Sequence, residues 1–242
     1  MKPELVAHRG YALRYPENTL SAMEAAIAAG ARYVECDVQL SSDGFPVLMH
    51  DRTLERMCGV KAPVHELALA DLRALSCGER AKFGSKFAKE GIASLGGFVQ
   101  LLRRHPHVTA FVEIKRVAIE RFGRERILER VLPVLDPAVH QCALISFSLE
   151  FLSAARAAHP LPLGAVIDKW SERTHKLIDE IDPEYLFCDV DGLPATGPLA
   201  QGRARIAVYE VADPALARAL AARGVGLVET FEIAEMIAQL GE

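Results

Sequence analysis

Short apolar runs of strand length recur through almost the whole chain, with longer stretches of helical periodicity between most of them. No other feature restricts the fold as much. The runs fall at 5–8, 33–38, 45–50, 108–115, 142–147, 161–167, 185–190, 206–211 and 225–229. The spacing of apolar residues predicts helices over 18–29, 98–104, 120–135, 149–158, 172–181, 214–222 and 233–240. Strands that alternate with helices pair in parallel through right-handed crossovers. About eight such units in 242 residues suit a TIM-type (β/α)8 barrel, taken as one domain over 1–242. A doubly wound open sheet is the alternative. However, no GxGxxG follows the first run and no GxxxxGK(S/T) occurs, so the nucleotide signatures of open sheets are absent. The rhythm breaks over about 52–95, where Gly59, Pro63, Gly78, Gly84 and Gly91 stand among charged residues. This stretch reads as a small insertion after the second strand unit. At the catalytic end of a barrel such an insertion shapes the substrate pocket.

Composition narrows the class of function. Half of the residues are hydrophobic and a quarter are charged, as in a packed soluble globule. The formal net charge of −4 gives no bias toward nucleic acid, so an anionic substrate needs a local positive site. The five cysteines are odd in number and form no CxxC pair. Cys36, Cys142 and Cys188 lie inside apolar runs, so buried reduced thiols are expected. The first residues show no long apolar signal region, and no stretch approaches the ~18 apolar residues of a membrane span. A cytoplasmic location without a membrane span is the expectation. Apolar helix faces on a barrel exterior can mark a homodimer, but none is clear enough to name.

The chemistry collects where strand runs stop being apolar. The first run ends in His8-Arg9-Gly10. In the second, Glu35 and Asp37 flank Cys36 and share one face, because strand side chains alternate. Two carboxylates on an inner barrel face cannot stay unpaired, since an uncompensated buried charge costs several kcal/mol or more. The run 45–50 ends in His50, and the run 108–115 puts Glu113 and Lys115 on one face. Each feature alone has a structural explanation: a lone strand-end histidine, an edge pair of carboxylates, a Glu–Lys pair. Strand ends of a parallel barrel lie on one side, so the four sets are expected to converge. Three carboxylates then offer an all-oxygen site for one hard divalent cation, Mg²⁺ or Ca²⁺. Arg9 and Lys115 supply positive charge for a phosphate, and His8 and His50 can divide general acid and base roles.

These residues resemble the glycerophosphodiester phosphodiesterase family. The matching text is His8-Arg9-Gly10, Pro16-Glu17-Asn18-Thr19, Glu35-Cys36-Asp37-Val38, Asp43-Gly44 with Pro46-Val47, and His50-Asp51 with Thr53-Leu54, followed by Glu113-Ile114-Lys115 and Ser146-Phe147. The match is dense over 6–56, looser to about 150 and weak beyond. It implies a barrel with a small insertion and hydrolysis of a glycerophosphodiester to glycerol 3-phosphate and an alcohol such as choline, ethanolamine or glycerol. It implies Glu35, Asp37 and Glu113 as metal ligands, His8 and His50 as the acid–base pair, and Arg9 and Lys115 as phosphate contacts. Glu17 and Asn18 would organise the N-terminal loop, with Phe147 as a further supporting residue. The attacking oxygen is that of water or of the glycerol 2-hydroxyl, and the histidines are not distinguished as acid and base. The chain departs from the family pattern at Tyr209-Glu210-Val211-Ala212, at Gly224-Val225-Gly226-Leu227 and at Ile92-Ala93-Ser94-Leu95. These departures bear on substrate preference. The alternatives are a related barrel enzyme acting on lysophospholipids or phosphoinositides, and a non-catalytic barrel that binds a phosphate ligand.

Overall fold

Eight of the nine apolar runs pair in parallel and close on themselves into a ring. The computed structural model describes residues 2–241. The chain enters through β1 (Glu4–Ala7) and α1 (Leu20–Ala28), followed by β2 (Tyr33–Leu40) and β3 (Pro46–Leu48). Three short helices come next: α2 (Glu55–Cys58), α3 (Leu69–Arg73) and α4 (Arg80–Phe83). Then follow α5 (Leu95–Arg103), β4 (Thr109–Ile114), α6 (Arg116–Phe122), α7 (Arg124–Leu135), β5 (Cys142–Ser146) and α8 (Leu149–Ala158). The last units are β6 (Leu163–Ile167), α9 (Lys176–Ile181), β7 (Tyr185–Asp189), β8 (Arg205–Tyr209), α10 (Pro214–Ala222), β9 (Leu227–Thr230) and α11 (Ile233–Gly241). The ring runs β1-β9-β8-β7-β6-β5-β4-β2 and closes through the β1–β2 pairing. This is the TIM-type (β/α)8 fold.

Strand alternation divides the apolar residues between two cores. Val6, Phe111, Ala143, Ile145, Val166, Phe187, Ala207 and Leu227 point inward and fill the barrel. Their neighbours Ala7, Val34, Cys36, Val112, Leu144 and Val228 point outward and meet the helices. Phe111 is the centre of the filling, with Tyr185 at 4.8 Å and Phe187 at 4.9 Å between ring centroids. Gly164 makes room for these rings: a Cβ there would lie 2.8 Å from Ile145 Cγ2 and 3.2 Å from Phe187. Such inward layers make the barrel a packed core rather than a pore.

Several helices start where a short polar side chain caps them. Thr19, Ser94, Ser148 and Asp213 each accept a hydrogen bond from a backbone N–H of the first turn of the helix that follows. Pro214 takes the first helical position after Asp213.

The structure corrects three expectations. The run 45–50 does not join the parallel ring: β3 pairs antiparallel with the end of β2, so that Val38 faces Leu48 and Leu40 faces Pro46. The expected helix 120–135 is two helices, because Gly123 adopts φ 81° and ψ 155° between α6 and α7. The first part of the expected helix 172–181 is a tighter 3₁₀ turn over Trp170–Thr174.

The excursion from the barrel runs over residues 41–94 and takes in β3. It has its own small apolar cluster, built from Val47, Met49, Leu54, Met57, Val64, Leu72, Cys77 and Ile92. All five cysteines are free thiols, and four of them are buried. Among the described residues no helix is long and apolar enough to cross a membrane.

Candidate active site

The rows of inward side chains that are apolar inside the barrel turn polar at its C-terminal end. Val6 is followed two residues on by His8, Tyr33 by Glu35 and Asp37, Phe111 by Glu113 and Lys115, and Leu227 by Glu229. The β2–β4 register sets Asp37 beside Glu113. One oxygen each of Glu35, Asp37 and Glu113 lies within 4.8 Å of the others, and all three residues are buried.

The β1 turn locks this cluster in place. Arg9 and Gly10 both adopt positive φ, 56° and 81°. A Cβ on Gly10 would meet the backbone of Ala22 at 2.7 Å, so the turn packs directly on α1. In this conformation the Arg9 backbone N–H donates to Glu35 Oε2 at 3.0 Å. Asn18, also at positive φ, grips Asp37 twice. Its Nδ2 donates to Asp37 Oδ2 at 2.8 Å, and its Oδ1 accepts from the Asp37 backbone N–H at 3.0 Å. Asn18 thus ties the β1–α1 loop to both the side chain and the backbone of Asp37.

The two cations are tied to these acids. Arg9 lies 3.2 Å from Asp37 Oδ2 and donates to Glu17 Oε1 at 3.2 Å. Lys115 Nζ lies 3.1 Å from Asp37 Oδ1 and 2.8 Å from Glu113 Oε1. Charge state follows this geometry. Burial pushes Glu35 well above the usual carboxylate range, and the charges on Asp37, Glu229 and Glu113 add to the rise. Burial pushes Glu113 up to about 6, with Asp37 adding and Lys115 opposing. Burial also acts upward on Asp37, but Lys115 and Arg9 outweigh it and hold this carboxyl well below its ordinary range.

Both histidines reach the same cavity, by different routes. His8 follows β1 directly and is buried. Its Nε2 lies 3.6 Å from Glu35 Oε2, its Nδ1 lies 2.9 Å from Glu210 Oε1, and its ring stacks on Phe231 at 4.7 Å. Burial lowers the affinity of His8 for a proton, and Glu210 opposes the fall. His50 arrives on the antiparallel β3 segment, where the Met49 N–H donates to the Asp37 carbonyl at 3.0 Å. Its Nδ1 lies 2.8 Å from Asp51 Oδ1, and its side chain is 32% exposed.

The cavity measures roughly 120 Å³. His8, Arg9, Glu35, His50, Glu113 and Lys115 line it together with Phe147, Phe187, Tyr209, Glu210 and Glu229. Asp37 sits behind this wall, under the two cations. Phe147 packs edge-on to Tyr209 at 6.4 Å and carries the Arg116 guanidinium over its ring at 4.7 Å.

The chain matches the model of the glycerophosphoryl diester phosphodiesterase family over residues 8–228. It belongs to that family. It is 39% identical over 102 residues to a glycerophosphodiester phosphodiesterase of Caldanaerobacter subterraneus, a match that covers 42% of this chain and 41% of the relative. It is 36% identical over 110 residues to human glycerophosphodiester phosphodiesterase 1, covering 46% of this chain and 33% of that protein. The chain thus spans well under half the length of these curated relatives. Among solved structures, a phosphodiesterase of Oleispira antarctica in complex with the product sn-glycerol-3-phosphate superposes with a TM-score of 0.84 at 22% identity, covering 100% of this chain and 98% of that one. That likeness concerns the fold.

Four site residues have no role in the sequence reading: Asp51, Arg56, Glu210 and Glu229. Glu229 carried the same signal as His8, a polar residue closing an apolar run, and Glu210 is a lone acid inside the run 206–211. Arg56 stands on α2 and bridges the two halves of the site. Its NH2 and NH1 groups donate to Glu17 Oε1 at 2.6 Å and Oε2 at 3.0 Å. Its Nε donates to Asp51 Oδ2 at 2.7 Å. One guanidinium therefore fixes the partner of Arg9 and the partner of His50. A lysine keeps the charge but cannot span both acids. Arg56→Lys is expected to lower kcat about 10-fold, the scale of an outer-shell loss. Steady-state kinetics would show it, and an unchanged kcat would count against the bridge.

Proposed function

We propose that this protein hydrolyses glycerophosphodiesters to glycerol 3-phosphate and an alcohol. One observation carries the reading: two histidines, each beside a carboxylate, and two cations face one cavity with Glu35 and Glu113, and Asp37 lies directly behind them, in a chain of this family. The family membership and the glycerol 3-phosphate bound to the Oleispira protein support the substrate class.

The acidic cluster suits one divalent cation, Mg²⁺ or Ca²⁺. Its donors are all oxygen, and Glu35 Oε1 is buried with no hydrogen-bond partner. Glu35, Asp37 and Glu113 would hold the ion, which when bound would neutralise charge on a non-bridging phosphate oxygen. Arg9 and Lys115 line the cavity and would engage the phosphate, Arg9 by a planar fork and Lys115 as a point charge. The histidines would move the protons. Each has Nδ1 on a carboxylate, which leaves Nε2 for exchange with the attacking oxygen or the leaving alcohol. Phe147 and Tyr209 wall the cavity and narrow the access of water.

The deciding experiment measures release of glycerol 3-phosphate from the glycerophosphodiesters and of choline from the lysolipid. Glycerophosphocholine, glycerophosphoethanolamine and glycerophosphoglycerol would be compared with lysophosphatidylcholine, each with Mg²⁺, Ca²⁺ or Mn²⁺. Turnover of the first three supports the reading. Turnover of the lysolipid alone moves the substrate to lysophospholipids, and no turnover with any ion favours a phosphate-binding barrel.

A further inference from the structure

The two nitrogens of the buried His8 ring meet different neighbours. Nε2 looks toward the acidic cluster, 3.6 Å from Glu35 Oε2. That distance is too long for a hydrogen bond, and the same oxygen already accepts the Arg9 backbone N–H. Nδ1 looks the other way, 2.9 Å from Glu210 Oε1, a close ion-pair approach set at an angle too oblique for a formed hydrogen bond. The Phe231 ring lies nearly parallel, 6° from the imidazole plane, and fixes how the ring is turned. With the ring held and water excluded, the acceptor nearest each nitrogen decides which one carries the proton of the neutral imidazole. A carboxylate oxygen accepts and does not donate, so the free acceptor beside Nδ1 selects the Nδ1–H form.

We propose that Glu210 is a positioning residue: it holds His8 in the Nδ1–H tautomer, with the Nε2 lone pair turned to the cavity and the acidic cluster. The assignment rests on the reading of His8 as a proton carrier given above. Glu210 comes from the end of β8, across the mouth from the acids of β2 and β4, and 38% of its side chain is exposed. The pair therefore forms without burying another carboxylate among Glu35, Glu113 and Glu229. The other histidine also has a carboxylate at Nδ1, where Asp51 and His50 make an aligned hydrogen bond at 2.8 Å. His50 takes its partner from the next residue in sequence, whereas His8 must take its own from a distant strand. Both rings then present Nε2 to the substrate.

The test reads the tautomer and the rate separately. Nitrogen-15 NMR of the imidazoles would be recorded for the wild type, Glu210→Gln and Glu210→Ala, each without metal and with Mg²⁺. The His8 signal is assigned by its absence in His8→Gln. In the wild type and in Glu210→Gln, whose amide oxygen still accepts, His8 is expected to carry its proton on Nδ1. In Glu210→Ala it is expected to shift toward Nε2–H. On glycerophosphocholine, kcat should fall about 10- to 100-fold in Glu210→Ala and only a few-fold in Glu210→Gln, the size of an orienting-partner effect, with KM within about two-fold. An unchanged His8 tautomer in Glu210→Ala overturns the proposal, as does a rise in KM with kcat intact. If His8→Gln retains full activity while Glu210→Ala still moves the tautomer, the catalytic reading of His8 fails and the positioning contact stands.

Discussion

Replacing His50 with alanine is expected to lower kcat by on the order of 10² to 10⁴, the usual yield of one acid–base group. The fold should survive the change. The His50 side chain is 32% exposed, and its polar contact, Asp51, keeps Arg56 as a partner. KM should move little, because the imidazole acts on a proton and not on the phosphate charge. Steady-state kinetics on glycerophosphocholine beside a melting curve would separate the two effects. Activity within a few-fold of wild type would falsify the role given to His50. His8→Ala should lose rate on the same scale but also stability, since the buried ring would leave Phe231 and Glu210 without their contact.

Stripping the divalent cation is expected to abolish turnover and to change how stability depends on pH. Glu113 sits at about 6 in the folded protein, against 4.5 in an unfolded chain. Between those values the folded state keeps a proton that the unfolded state has released. Stability of the cation-free protein therefore falls as pH rises through this window, by about 2 kcal/mol from Glu113 alone. The raised carboxyls of Glu35 and Glu229 extend the decline upward. Asp37 acts with the opposite sign: its depressed value stabilises the fold above 3.8, and that contribution disappears as pH drops below it. A bound divalent ion needs the carboxylates ionised, so it should offset the loss. The chelated protein is expected to melt about 2–4 °C lower at pH 7 than at pH 5, and added Mg²⁺ or Ca²⁺ should raise Tm more at pH 7. A chelated protein with a pH-independent Tm, or an ion that stabilises equally at both pH values, would refute this coupling.

The barrel and its acids were legible because they obey a period of two. Val34-Glu35-Cys36-Asp37-Val38 tells which side chains share a face, and a charge on an inner face must answer to another charge. The direction of β3 was harder to read, because an apolar run looks the same in either direction. Its signal lay in the connection: Asp43-Gly44, with Gly44 at φ 83°, turns the chain back after β2. His50 reaches the cavity through a hairpin rather than from a parallel strand end. The roles of Arg56 and Glu210 were out of reach, since Glu17, Asp51 and His8 become their neighbours only after folding. Gly123 hid the break between α6 and α7 for a different reason: the flanking residues keep helical spacing through it.

The hairpin that delivers His50 also divides the molecule's cooperativity. His50, Asp51 and Arg56 ride on residues 41–94, whose apolar cluster is separate from both barrel cores. His8 and the acidic cluster ride on the ring. A segment with its own small core can open below the global unfolding free energy. Catalysis should then fail at lower denaturant than the helical signal, with amide hydrogens of 41–94 exchanging ahead of those of the ring. Such a protein idles before it unfolds: a lapse in the outlying lobe silences the chemistry, and reclosing it restores turnover without refolding the barrel.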